Sequence, residues 1–284
     1  MFKYLLYKFG QFCVNHIPLK TTYRIAGFLS ELQCYLSPRD RRSVRNNLRV
    51  ILPAGNNIRK LTREVFRNFG KYLVEFFRME KYLDKEYIQT HVTVRNIHYL
   101  DEALKHGKGG ILLTAHLGNW ELGGVVISML GYPLIAVALP HKERPVNDLF
   151  NHQRETKGIT IVPLQKGVRK CIEALNENKI VALLADRDFT LNGEMMDFLG
   201  KKALLPKGPA AFSLKTGAPV IPVFVIRETD DHFLVLFGEP IFPPRDQNDA
   251  GALSKLMRRY AVVIEEKIRQ YPTQWLMFRE FWVG

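Results

Sequence analysis

The sequence predicts an α/β protein with a mixed, mostly parallel central sheet flanked by helices and a helical N-terminal portion. Two observations lead there. Up to about Leu83 the apolar residues recur at helical spacing, and from about Val92 short β-branched runs alternate with segments long enough for one helix each. Those runs are apolar throughout, the pattern of strands covered on both faces.

In the first portion, Ser37 suits an N-cap, Pro38 suits the first helical position, and Pro53 ends the pattern. Val44, Leu48 and Ile51 share one face, while Arg41, Arg42, Arg45 and Arg49 fall largely on another. Asn57 caps a further helix, whose stripe of Leu61, Val65, Phe69, Tyr72 and Phe76 must bury against something. Strands are expected at 110–115, 134–139, 159–164, 180–185, 220–226 and 233–237, and a last long helix from about Asp249 to Arg269. We read 1–83 as a helical portion and 84–284 as an α/β domain, together one compact unit. A chain of 284 residues needs no disulfide or metal staple. Cys13, Cys34 and Cys171 show no CxxC spacing and read as reduced thiols on a cytosolic side.

The formal net charge is +13. Such a balance favours anionic partners: phospholipid headgroups, acidic carriers or nucleic acid. No run of 18 uncharged apolar residues exists to span a membrane. The first ten residues carry Phe2, Leu5, Leu6 and Phe9 with Lys3 and Lys8 between them. That pattern suits a helix lying in a headgroup layer, and equally an ordinary helix packed on the protein body.

In open α/β sheets, reactive groups gather at the carboxyl ends of strands. The stretch from Ile111 to Gly124 runs a buried strand into His116, then Gly118 for a tight turn, Asn119 as a helix cap and Glu121 in the first helical turn. On one continuous helix His116 and Glu121 would diverge by roughly 140°. Across a strand-to-helix turn they can meet. A carboxylate on one imidazole nitrogen fixes the tautomer and leaves the other to deprotonate an acceptor hydroxyl. Glu121 is therefore expected to orient His116, with backbone N–H groups near Gly118 and an arginine as oxyanion donors. There is no G-x-S-x-G elbow and no HExxH pattern, so neither a serine nucleophile nor a zinc site is expected.

The His116-to-Glu121 element resembles the H-x4-D/E signature of the glycerolipid acyltransferase superfamily. Its form Thr114-Ala-His-Leu-Gly-Asn-Trp-Glu121 is similar to the bacterial lipid A biosynthesis acyltransferases, the lauroyl and myristoyl transferases. Further blocks follow in the family's order. The segment from Asn147 through Arg154 to Gly158 is similar to a block ending R-x-x-x-G, which implies an active-site role for Arg154. Leu183-Leu-Ala-Asp186-Arg-Asp188 is similar to an A-D-Q/R-D element, which carries a substrate or positioning role to Asp186; Arg187 departs from the commoner glutamine. The run from Asp197 through Pro206-Lys-Gly-Pro to Val223 resembles a third block, with Leu199 in place of a second phenylalanine. Leu36-Ser-Pro-Arg-Asp-Arg-Arg and Gln274-Trp275-Leu276 extend the likeness over nearly the whole chain. It implies an α/β acyltransferase at the cytoplasmic face of a bacterial inner membrane, peripheral or monotopic. It implies acyl carrier protein or coenzyme A thioester as co-substrate and a lipid acceptor, foremost a lipid A precursor of lipopolysaccharide. Some members acylate mannosylated phosphatidylinositol instead. No metal or redox cofactor is implied.

Gly208 and Pro209 open a helix flanked by Lys201, Lys202 and Lys207, a potential anion site for substrate phosphate. Without the resemblance it reads as a capped helix with solvated lysines. The competing class is a basic protein that binds nucleic acid or anionic membranes without catalysis. Its basic residues are scattered and no nucleic-acid module is present, so no nucleic-acid partner is expected. A thioesterase using the same residues differs only in whether water outcompetes the lipid hydroxyl.

Overall fold

The computed structural model describes residues 2–164, 167–189, 192–244 and 251–282. Five helices come first: α1 (Phe2–His16), α2 (Leu19–Leu36), α3 (Pro38–Ile51), α4 (Ile58–Tyr82) and α5 (Lys85–His91). Pro38 begins α3 as its fixed φ favours, although the Ser37 side chain makes no cap bond. The C-terminal carbonyls of α2 are instead met by Arg41, which donates to Cys34 O and Tyr35 O. Asn57 does cap α4, accepting from Lys60 N at 3.0 Å. Val65, Tyr72 and Phe76 of its stripe are buried, while Leu61 and Phe69 are half-buried.

Strands and helices then alternate: β1 (Val92–Arg95), α6 (His98–Lys105), β2 (Gly110–Thr114), α7 (Trp120–Met129), β3 (Leu134–Ala138), α8 (Arg144–Glu155), β4 (Thr160–Pro163), α9 (Gly167–Asn176) and β5 (Ile180–Leu184). A hairpin of β6 (Glu194–Phe198) and β7 (Lys201–Leu205) follows, then α10 (Gly208–Thr216), β8 (Val220–Thr229), β9 (His232–Phe237) and α11 (Ala252–Gln270). All six expected strands are present. β1 and the hairpin were not foreseen, and Asp249, the expected start of the last helix, lies outside the described residues.

The seven-stranded sheet has the order β1-β9-β8-β2-β5-β3-β4. Only the β8–β9 pair is antiparallel. Period-two alternation assigns the faces of β2. Ile111 and Leu113 join one core with α9, α10 and α11, whereas Leu112 joins the other with α4, α7 and α8. Both faces are thus dry, which is why the strand runs are apolar without alternation. Phe76 and Val74 of α4 share that second core, so the N-terminal helices pack directly on the sheet layer.

β2 and β5 are parallel neighbours in register, Thr114 beside Leu184. Their carboxyl ends therefore deliver His116 and Asp186 side by side. After His116 the chain turns at Gly118, whose φ of +64° is left-handed. A Cβ there would stand 1.7 Å from the Val225 carbonyl oxygen of β8. Only glycine fits, on both counts.

No helix among the described residues is long and apolar enough to cross a membrane. α1 and α2 nevertheless turn large apolar side chains outward: Leu5, Leu6, Phe9 and Phe12, then Phe28, Leu29, Leu32 and Leu36. The Phe2 side chain lies outside the described residues.

The turn gives a direct expectation. Gly118→Ala should lower unfolding free energy by about 2 kcal/mol or more, from left-handed strain and the displaced β8 carbonyl. Chemical denaturation measures it.

Candidate active site

The site grows from three segments that the sheet brings together: the turn after β2, the residues after β5, and the segment following α11. His116 is the last residue before the turn, with its side chain 14% exposed. Its Nδ1 is 2.8 Å from Asp186 Oδ1, and its backbone N–H donates to Asp186 Oδ2 at 2.9 Å. Asp186 is fully buried. Its Oδ2 also accepts from Trp275 Nε1 at 2.8 Å.

This overturns the expected pairing of His116 with Glu121. The carboxylate on the imidazole belongs to Asp186. Asn119 caps α7, so Glu121 lies in its first turn and is carried away on the helix, while the in-register neighbour strand supplies the nearer acid. Glu121 instead accepts from Arg154 twice, Nε to Oε2 at 2.8 Å and Nη2 to Oε1 at 2.6 Å. Asp186 accordingly does not position Arg154.

Burial pushes the Asp186 carboxyl up, but the His116 charge and its hydrogen bonds from His116 and Trp275 win and hold it below the usual range. Burial likewise pushes Arg154 down, and the Glu121 fork overrides it and holds the guanidinium firmly charged. With Nδ1 facing a carboxylate, Nε2 is the imidazole nitrogen left to take a proton. An aromatic wall joins the two pairs: the Trp120 ring meets His116 edge-on at 5.0 Å and stacks on Tyr72 at 4.6 Å.

The turn itself is spent on framework. Gly118 N–H donates to Gln274 O, and Asn119 N–H to Val225 O. Neither is free for an oxyanion, contrary to expectation. The Asn119 side chain is also consumed, its Oδ1 accepting from Leu122 N and its Nδ2 donating to Glu75. Glu75 was missed by the sequence reading. Its buried carboxylate accepts from Tyr23, from Arg227 twice and from Asn119, tying α2, α4, β8 and the turn after His116 together. Trp275 was missed as a site residue too. Nothing marked it except the similarity of Gln274-Trp275-Leu276. Leu276 N–H donates to His116 O at 2.7 Å, so the 274–276 segment clasps the histidine from its backbone as well.

At the expected anion site beside α10, Lys207 lies 3.6 Å from Glu194 and Lys202 pairs with Asp197, while Lys201 is exposed and Gly208 half-buried. Among the described residues no cluster of three or more metal-ligating side chains exists. A pocket of about 210 Å³ opens between α2, α4 and α5, lined in part by Leu19, Met79, Leu83 and Leu122. Its wall contains neither His116 nor Asp186, so it is separate from the His116 site.

The chain is similar to known proteins over most of its length. The family described as "Bacterial lipid A biosynthesis acyltransferase" matches residues 1–283. A phosphatidylinositol mannoside acyltransferase of Mycolicibacterium smegmatis is 30% identical over 245 residues, 84% of this chain and 78% of the relative. One from Mycobacterium tuberculosis is 28% identical over 76% of this chain and 68% of its own. A lipid A biosynthesis acyltransferase of Haemophilus influenzae is 25% identical over 49% and 44% respectively.

The depressed Asp186 carboxyl links stability to pH. Its contribution is present above the unfolded value of about 4 and is lost as pH falls through the lower folded value. Denaturation across that range should show a loss in the native protein that Asp186→Asn lacks. Trp275→Phe should shrink it, because one of the three donors is gone.

Proposed function

This chain belongs to the bacterial lipid A biosynthesis acyltransferase family, and on that premise we propose that it transfers a fatty acyl chain from an acyl carrier protein or coenzyme A thioester to a hydroxyl of a membrane glycolipid, with His116 as base. The observation that carries the reading is the buried Asp186 carboxylate on Nδ1 of a partly exposed imidazole. Nε2 accepts the acceptor's hydroxyl proton, and the oxygen attacks the thioester carbonyl. Collapse of the tetrahedral intermediate expels the thiol sulfur, which takes the proton back from the imidazolium. An ester and a free thiol result. Asp186 holds the tautomer and stabilises the imidazolium throughout.

Arg154 keeps one nitrogen, Nη1, off Glu121; its contact to Asn151 is long at 3.5 Å. That N–H group is the available donor for the oxyanion. Glu121 then serves the arginine, not the base: it fixes the fork and offsets the cost of burying it.

The relatives divide over the acceptor. The longer matches are to phosphatidylinositol mannoside acyltransferases, which favours a mannosylated phosphatidylinositol. The family's description and the Haemophilus relative support a lipid A precursor as the second reading. Supplying each acceptor to the purified protein, with ester formation and free fatty acid measured together, separates the two and also tests the thioesterase alternative.

The exposed faces of α1 and α2 support an anionic membrane surface as the working location. Apolar side chains there are interspersed with Lys3, Lys8, Lys20 and Arg24, and no acidic residue occurs before Glu31. A peripheral seat on a cytoplasmic leaflet follows from this reading.

His116→Ala should abolish ester formation while the protein stays folded; near-normal turnover would end the proposal. Asp186→Asn should lower kcat by about four orders of magnitude, as expected when an imidazole loses its orienting carboxylate. Glu121→Ala should lose activity through the fold, because a buried, unpaired guanidinium costs about 3–5 kcal/mol. Replacing Phe9, Phe28 and Leu32 together by serine should weaken partition into anionic vesicles by at least about tenfold, given the apolar burial each would forfeit. Flotation with lipid vesicles reads that out.

A further inference from the structure

Beside the catalytic carboxylate lies a cationic pair that the mechanism does not use. Arg187 directly follows Asp186 at the end of β5, and Arg279 lies three residues past Leu276, whose N–H holds the His116 carbonyl. The two guanidinium groups converge on one ring. The Arg187 carbon is 4.4 Å and the Arg279 carbon 5.9 Å from the centroid of Phe189, which is 39% exposed.

The pair is under-compensated. Arg187 Nε–H is buried without an acceptor. Among the described residues no carboxylate pairs with either guanidinium, and Asp188 turns an oxygen to Gly193 N–H instead. Burial first, and then the Arg279 charge, push the Arg187 pKa down to about 10, with only Asp186 opposing. Two like charges held together, one with a buried donor unsatisfied, is a costly arrangement for the free protein. An arriving oxyanion with several acceptors removes both costs.

We infer that Arg187, Arg279 and the Phe189 ring form a binding site for a substrate phosphate ester at the mouth of the His116 site. The inference rests on the acyl-transfer reading of that site and adds to it a specificity element. Guanidinium forks match phosphate oxygens in pairs, and the pair stands at the same sheet end as the base. Two substrates of such a reaction carry the group: the thioester donor, through its phosphopantetheine or nucleotide phosphates, and a phosphodiester lipid acceptor.

The test is Arg187→Gln, Arg279→Gln and the double variant in the full-length protein, with Arg169→Gln as a surface-charge control. Thermal unfolding verifies that each is folded. One arm compares KM for palmitoyl-coenzyme A with KM for the phosphate-free palmitoyl-N-acetylcysteamine thioester. The other compares binding to phosphatidylcholine vesicles with and without phosphatidylinositol. If the phosphate belongs to the donor, the double variant raises KM for palmitoyl-coenzyme A at least about tenfold, while the phosphate-free thioester is unaffected. If it belongs to the acceptor, the loss of similar size falls on phosphatidylinositol-dependent vesicle binding. Changes below twofold in both arms, or equal changes for the two thioesters and the two vesicle types, overturn the site and leave the arginines as packing on Phe189. His116→Ala separates this inference from the reading beneath it: turnover should vanish with phosphate-dependent binding intact, and retained turnover would sink the catalytic assignment without touching the phosphate site.

Discussion

One buried carboxylate organises the proposed active site. Asp186 has no exposed surface, so it stays ionised only because every nearby donor is turned to it: an imidazole, a backbone amide and an indole. Those donors come from segments 70 and 89 residues away in sequence. The parallel register of β2 and β5 brings the first two within reach, and the segment after α11 closes over the third side. A carboxylate so satisfied is a structural anchor and, in the proposed mechanism, the group that orients the imidazole for its role as base.

The second acid of the site illustrates how environment divides roles between like groups. Glu121 lies five residues from His116 and has the shorter path to it along the chain. Its place in the first turn of α7 sends it to Arg154, where each partner compensates the other's burial. Beneath both, the Glu75–Arg227 pair performs a quieter task. It fixes the helix cap at Asn119 against α4 and β8, so the turn carrying His116 cannot shift without breaking a buried hydrogen bond to the Glu75 carboxylate.

Much of the fold was legible because the strands are apolar on both faces and the helices carry clean stripes. β1 was harder to read, since it is an edge strand of four residues with alternating exposure. The β6–β7 hairpin was hidden by residues such as Glu194, Asp197 and Lys202, which mark an exposed pair instead of a core strand. In the site, His116 was visible from its place at a strand end, Arg154 and Asp186 entered only through the family resemblance, and the mistake concerned partners. Spacing along the chain made Glu121 the natural companion of His116. Strand order decides otherwise, and the β2–β5 adjacency is not encoded in any local window. Trp275 was equally opaque, because an indole donor reveals itself only once its acceptor is placed. The N–H groups of Gly118 and Asn119 could not be excluded as oxyanion donors until Gln274 and Val225 were seen to claim them.

The clasp of residues 274–276 over His116 also bears on folding kinetics. Contacts of such long sequence separation carry a large loop-closure entropy and form late, after local helices and neighbouring strands have condensed. A refolding chain can therefore possess its sheet, with Leu113 and Leu183 already side by side, and still lack the clasp over His116. Recovery of catalysis should lag behind recovery of secondary structure, with the docking of an indole marking the moment at which the enzyme begins to work.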